Sequence, residues 1–269
     1  MLSAPEPLRV AVLSSRRAPG LKSVVSHSLH GALYQIVGIV SSEEEFAEAA
    51  FAKEIGIRLV HRPVRAFHRA CGRPLHDMAV RAAYDDQLVP LLRSWSVDLV
   101  FCCGYLYLLT APVLDMWAGA VFNVHHSDML ARNDDGRVRY PGLRAVRDAI
   151  LDGAVETRST VHVVTPTVDD GPPVLRSWAF PVSPLAADMR NHGSADALKA
   201  YIFAHQEWML QRAWAPLITH ALELASLDRS GLARGQLLGA PWEITVHGQL
   251  RATYDAAQTA VSLPRSTWR

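Results

Sequence analysis

The chain is short of cysteine, of net charge and of long apolar runs, and each shortage closes off a class of protein. Its three cysteines, Cys71, Cys102 and Cys103, form no CxxC pair and no disulfide framework. Two of them sit inside an apolar run, where a cysteine behaves as a small packing residue. The formal charge is +1 over 269 residues, which argues against a strongly electrostatic nucleic-acid binder. No apolar stretch reaches membrane length and no secretory signal is visible, so a cytoplasmic location with no membrane partner is expected. No internal repeat appears, and no metal site is called for. What the chain does have is 49% hydrophobic residues, typical of a globular protein able to bury one substantial α/β core.

That core has a βα rhythm. Leu8 to Leu13 (LRVAVL) and Tyr34 to Val40 (YQIVGIV) read as strands, with helical segments near Gly20 to His30 and over Phe46 to Ile55. Arg58 to His76 is rich in Arg, His and Pro without a clear period, and reads as an extended connection. Asp77 to Ser94 returns to helical spacing. Val97 to Cys103 (VDLVFCC), Ala118 to Val124 (AGAVFNV) and Thr160 to Val164 (TVHVV) are further strand candidates. Strands alternating with helices imply an α/β fold: a Rossmann-like, mostly parallel sheet flanked by helices. Ala195 to Leu227 suits one or two packed helices interrupted near Pro216, with Trp208 and Trp214 as core anchors. Trp242 to Tyr254 reads as a β-hairpin turning at His247 to Gly248. The expected organisation is a catalytic domain over residues 1–230 and a small helical and β-hairpin extension over 231–269.

Two short stretches carry chemistry. Phe122 to Ser127 (FNVHHS) closes a probable strand with an amide, two imidazoles and a hydroxyl, and Val168 to Gly171 (VDDG) places carboxylates in a glycine-containing loop. Loops at the carboxyl ends of such strands are where ligands usually bind. Asn123 and His125 are two apart, so on an extended backbone both leave the same face. Asp169 follows its own strand and can return to that edge. An Asn and a His at a strand end also serve as ordinary structural hydrogen-bonding groups. His126 is expected to point away from His125 in a packing or surface role, and Asp170 to bond nearby amides of the turn. Ser127 either holds its loop by a local hydrogen bond or touches substrate.

The order of segments from Val97 to Val182 is an apolar strand, GYLYLLT, a helix, FNVHHS, a variable loop, YPGLRAVRDAILDG, STVHVV, TVDDGPPV and AFPV. This series closely resembles the formyltransferase family that includes glycinamide ribonucleotide formyltransferase, the catalytic domain of methionyl-tRNA formyltransferase and formyltetrahydrofolate hydrolase. Leu8 to Ser15 is similar to that family's first strand, and Tyr201 to Leu227 to its closing helix. The resemblance implies that Asn123, His125 and Asp169 are catalytic. It implies 10-formyltetrahydrofolate as formyl donor, held by Gly104, Tyr105, Leu106, Tyr107 and Leu109 together with Val168 and Gly171. In such a reaction a free amine attacks the formyl carbon. An Asn amide and a protonated imidazole would stabilise the oxyanion, and a carboxylate beside the imidazole would fix it and help move a proton.

Departures from the family bear on the acceptor. Glycinamide ribonucleotide formyltransferases have a glycine-rich turn after the first strand whose amides cradle a phosphate. Here Ser14 to Leu21 reads SSRRAPGL, keeping only Gly20, with a proline that lacks an amide donor. Ser14, Arg16 and Arg17, with Ser127, are the candidates for substrate contact. The loop from Asp128 to Gly142 (DMLARNDDGRVRYPG) is longer than its counterparts, and either closes over the substrate or is a solvated loop. The leading expectation is N-formylation of a small amine or hydroxylamine, with a homodimer left open and nucleic acid excluded. Formyltetrahydrofolate hydrolase is the alternative, although those enzymes carry an amino-terminal regulatory domain for which there is no room before Leu8. A non-catalytic folate-binding protein is the other, opposed by the joint presence of Asn123, His125 and Asp169.

Overall fold

The computed structural model describes residues 6–253. In chain order the elements are β1 (Leu8–Ser14), α1 (Leu21–Ser26), β2 (Tyr34–Ser41), α2 (Ala49–Glu54), β3 (Arg58–His61), α3 (Val64–Ala70) and α4 (Met78–Ser94). Next come β4 (Leu99–Cys102), α5 (Ala111–Met116), β5 (Val121–His125), α6 (Ala145–Leu151), β6 (Glu156–Thr157), β7 (Thr160–Val163), β8 (Pro173–Arg176) and β9 (Phe180–Pro181). The chain closes with α7 (Leu185–His192), α8 (Ala195–Leu227), α9 (Arg229–Ala233), β10 (Trp242–Ile244) and β11 (Leu250–Ala252).

Nine strands form one sheet in the order β11-β10-β8-β7-β5-β4-β1-β2-β3. β3, β2, β1, β4 and β5 run parallel, while β7 is antiparallel to both β5 and β8. The parallel strands are apolar throughout because helices cover both faces: every residue of β4 is buried, and of β1 all but Arg9. β1 lies where the order reverses, with β2 and β3 on one side and β4 and β5 on the other. Open α/β sheets bind ligands in the crevice beyond such a reversal. Leu13 of β1, Cys102 of β4 and Asn123 of β5 stand side by side at that edge.

Three sequence expectations need correction. The stretch from Arg58 to His76 is not simply extended: it holds β3, a short edge strand, and α3, which begins directly after Pro63. Four and seven residues are too few to show a period. Pro216 does not interrupt the long helix, which runs unbroken through 33 residues. A proline in a helix interior costs about 3 kcal/mol, but α8 packs across β1, β2, β5, β7 and β8. Burying side chains such as Leu210, Trp214, Leu217 and Leu222 returns about 1.5–3 kcal/mol each. Trp214 is a core anchor as expected, whereas Trp208 is 41% exposed and meets Phe180 and His205 edge to face.

The expected hairpin is β10–β11, and it belongs to the main sheet, since β10 adds in parallel to β8. The far end of the hairpin stretch, Tyr254, lies outside the described residues. Glu243 of β10 is nearly fully buried and accepts from Arg158, Arg176 and Arg251, so the hairpin is pinned by charge as well as by strand pairing. Among the described residues no helix is long and apolar enough to cross a membrane.

Candidate active site

The parallel strand β5 carries Asn123 and His125 to the sheet edge, and the antiparallel pairing of β5 with β7 sets Asn123 opposite His162. That partner decides how the amide is aimed. His162 Nδ1 lies 3.0 Å from the Val163 carbonyl, which only accepts, so Nδ1 carries the proton. Burial lowers the pKa of His162 and keeps the ring neutral, leaving Nε2 as an acceptor. Asn123 therefore donates one Nδ2 hydrogen to His162 Nε2 at 3.0 Å and keeps the other for the site. His162 was passed over in the sequence because a histidine in TVHVV looks like strand filling. The cue available was its place in an antiparallel strand beside FNVHHS.

Asp169 sits in the turn after β7 with φ +46°, a left-handed conformation that Asp and Asn tolerate better than most residues. Gly171 two positions on is required: a Cβ there would lie 1.7 Å from the Val163 carbonyl oxygen. So held, one carboxylate faces two imidazoles. Asp169 Oδ2 is 3.4 Å from His125 Nε2, and Oδ1 is 3.8 Å from His162 Nε2. Oδ2 also accepts the Gly142 N–H at 2.7 Å, which ties the end of the long loop to the Asp169 carboxylate. Asp170 turns away and accepts from Arg132 at 2.7 Å.

His125 Nε2 is buried and has no hydrogen-bond partner among the described residues. Burial pushes the His125 pKa down, the Asp169 charge pulls it up, and His126 and His162 push it down again, with burial prevailing. The protonated imidazole expected from the sequence is thus replaced by a neutral ring, and its charge has to arrive with the reaction. His126 packs, its ring stacked on Trp214, but it does not point away from His125 as expected: the two rings lie 5.0 Å apart, because Trp214 holds His126 on the same side.

Burial also lowers the pKa of His126, so three adjacent histidines are held neutral. In the unfolded chain each would titrate near about 6.5. The native state then binds fewer protons than the unfolded state below that pH. Stability that is full above about pH 6.5 is lost as pH falls, by at most about 1.4 kcal/mol per pH unit for each histidine. Urea midpoints should fall between pH 7.5 and 5.5, and His126→Phe, which keeps the stack on Trp214, should make the fall shallower. Equal slopes for the two proteins would contradict this account.

Five of the seven expected donor residues line one cavity; Gly104 and Gly171 do not, Gly171 being packed against the Val163 carbonyl. Tyr105, Leu106, Tyr107 and Leu109 form one wall of a cavity, Val168 and Asp169 another, and Asn123 and His162 lie at its end. Leu106, Leu108 and Val168 are 52, 46 and 46% exposed, so the walls present apolar surface to whatever enters. Gly104 does not line the cavity. It turns the loop at φ +67°, where a Cβ would come within 2.6 Å of the Arg17 carbonyl oxygen.

The candidate substrate residues do not join this cluster. Ser14 donates to the Arg17 carbonyl at 2.7 Å, and the Arg17 guanidinium is bound by Glu207. Arg16 lies by a separate cavity with Glu43 and Arg65. The Ser127 hydroxyl is buried without a partner among the described residues, so it does not hold its loop by a hydrogen bond, and Ser127 lines a different cavity of about 380 Å³. That loop is held instead by Thr160, which donates to the Ser127 carbonyl at 2.7 Å.

The half-buried Asn123 amide, His162 and the Asp169 carboxylate line an apolar-walled cleft, with the buried His125 against Asp169, and known proteins share both sequence and fold with this chain. The trifunctional purine biosynthetic protein adenosine-3 of Drosophila melanogaster is 28% identical over 213 residues, covering 78% of this chain and 14% of that protein. The chain thus spans about one seventh of the length of that relative. Glycinamide ribonucleotide transformylase 1 from Symbiobacterium toebii has the same fold, with a TM-score of 0.60 at 24% identity over 83% of this chain and 89% of that one. So does a formyltetrahydrofolate deformylase from Pseudomonas syringae pv. tomato, with a TM-score of 0.60 at 18% identity over 84% and 63%. The formyl transferase family model matches residues 8–192, a span that contains Asn123, His125, His162 and Asp169 as well as both walls of the cleft, and the chain belongs to that family.

Proposed function

We propose that this chain moves the formyl group of 10-formyltetrahydrofolate to the amine of a small biosynthetic intermediate that carries no phosphate at the first loop. The observation that carries the reading is the cluster of Asn123, His125, His162 and Asp169: Asn123, His162 and Asp169 line the cleft bounded by residues 105–109 and 164–169, and Asp169 faces the buried His125 at 3.4 Å. The residues present suit a folate. Exposed leucines and a valine offer flat apolar surface for aromatic rings, and the unpartnered His125 Nε2 marks a polar position that a ligand would satisfy. The bound donor would supply a carbonyl carbon open to attack by a nitrogen nucleophile.

Each protein group then has one task. The free Nδ2 hydrogen of Asn123 stabilises negative charge on the formyl oxygen, aimed by His162 before any substrate arrives. His125, neutral at rest, would take the proton that the attacking amine loses and return it to the departing folate nitrogen, and Asp169 3.4 Å away would stabilise the imidazolium in between. Asp169 is itself kept in place by the Gly142 N–H. Closure of the long loop over His125 and Asp169 keeps water from competing with the amine.

The acceptor follows from how the first loop is occupied. The Ala18 N–H donates to Glu48 at 3.1 Å, and Arg17 is paired with Glu207, so carboxylates of the chain itself fill the positions an anion would take. This supports an unphosphorylated amine. The test is to offer 10-formyltetrahydrofolate with matched amines, with and without a phosphate, and to follow folate release and formylated product by mass spectrometry. Transfer should favour the unphosphorylated member of each pair, and millimolar inorganic phosphate should leave the rate unchanged. Preference for phosphate esters would overturn the acceptor assignment. Folate release with no formylated product would make the enzyme a hydrolase.

A further inference from the structure

The donor-side loop from Gly104 to Thr110 has no strand or helix of its own, yet it forms a wall of the cleft, so something beneath it must fix its shape. That support is a buried ion pair on α4. Arg81 and Asp85 are 2% and 0% exposed and meet at 2.9 Å, one helical turn apart. Arg81 Nε donates to the Leu108 carbonyl at 2.8 Å, and Nη2 donates to the Tyr105 hydroxyl as well as to Asp85. The guanidinium also lies 5.3 Å from the centre of the Tyr107 ring. Asp85 Oδ2 accepts both the N–H and the hydroxyl of Thr110, each at 2.7 Å. The pair thus grips the loop at residues 105, 107, 108 and 110, while neither member lines the cleft.

We infer that Arg81 and Asp85 are positioning residues for the formyl donor, acting through the backbone of the 104–110 loop; this rests on the proposed folate reading of the cleft. Stability alone is a poor reason for such a pair. Two charges taken out of water seldom gain on well-packed apolar residues of the same size. Arg81 Nη1 is buried with no partner among the described residues, an arrangement that a purely structural contact would not favour. What the pair uniquely offers is a rigid planar fork that reaches a carbonyl, a hydroxyl and a carboxylate together, which a lysine cannot do.

The experiment compares the wild-type chain with Arg81→Met/Asp85→Leu and with Arg81→Lys. Tetrahydrofolate binding is measured by calorimetry without oxygen, alongside thermal unfolding and steady-state kinetics. The double variant replaces the pair with apolar side chains, and because it also strips partners from the Leu108 carbonyl, the Tyr105 hydroxyl and Thr110, its unfolding temperature should fall by some degrees while the chain stays folded at the assay temperature. Its dissociation constant and donor KM should nevertheless rise at least about tenfold, the loss of roughly one charged hydrogen bond to the loop. Its kcat should stay within about threefold, because Asn123, His125 and Asp169 are held by other contacts. Arg81→Lys keeps the charge opposite Asp85 but not the fork, and should also weaken binding, which covers the case of a double variant that fails to fold. Tight binding by either folded variant, within twofold of wild type, overturns the inference. A wild-type chain that does not bind tetrahydrofolate overturns the folate reading itself, and this inference with it.

Discussion

Replacing Asp169 by asparagine should lower kcat for formyl transfer by about 10²–10⁴-fold, the usual worth of a positioned acid–base group, without unfolding the protein. The substitution is nearly silent for structure. Asparagine accepts the left-handed φ of +46° as readily as aspartate, and its Oδ1 can keep the Gly142 N–H now bound at 2.7 Å. What disappears is the charge. Asp169 is the largest influence that raises the pKa of His125 against burial and two neighbouring histidines, ahead of a backbone contact from Tyr140. Without it the ring has even less tendency to accept a proton, and an imidazolium formed in transfer would sit in a buried site unpaired. The unfolding temperature should shift by no more than a few degrees, on the order of 1 kcal/mol. A folded Asp169→Asn protein that transfers formyl groups at nearly the normal rate would sink the mechanism.

Asn123→Ala should cost about 10²–10³-fold in kcat, as removing one oxyanion donor does elsewhere, with a smaller change in donor KM. The argument lies in the second hydrogen of Nδ2. The first is committed to His162 Nε2 at 3.0 Å, and His162 is locked by its Nδ1–H to the Val163 carbonyl, so the amide cannot flip to present its oxygen. Asn123→Asp is the sharper companion. It keeps the size but removes both donors and adds charge next to Asp169, so it should be at least as damaging as alanine. Steady-state kinetics of the two variants separate the roles: a change confined to KM, with kcat intact, would show that Asn123 only binds.

Much of the site was legible because its residues cluster in short segments with distinctive chemistry. FNVHHS and VDDG need only a strand end and a turn to be brought together, and the alternation of apolar runs supplied both. The mostly parallel sheet was legible for the same reason, since strands covered on both faces are written as unbroken apolar runs. What escaped notice depends on contacts between distant segments. Nothing local in TVHVV says that His162 will meet Asn123 across a strand pair. Nothing in SSRRAPGL says that Arg17 will find Glu207 190 positions later, or that Glu48 will take the Ala18 N–H. The charge state of His125 was also hidden, because burial rather than sequence neighbours sets it. α3 and β3 were missed because seven and four residues give no period to read.

The β10–β11 hairpin also bears on how the protein survives its own synthesis. It is the last part of the described chain to emerge, yet it completes a sheet that begins at Leu8. Until it arrives, β8 offers a row of unpaired peptide groups, and Arg158 and Arg176 lack the buried carboxylate of Glu243. An open strand edge of this kind recruits edges from other copies. A chain cut near residue 230 would retain Asn123, His125, His162 and Asp169 and should still be prone to aggregate, so soluble yield sets how far the chain can be shortened.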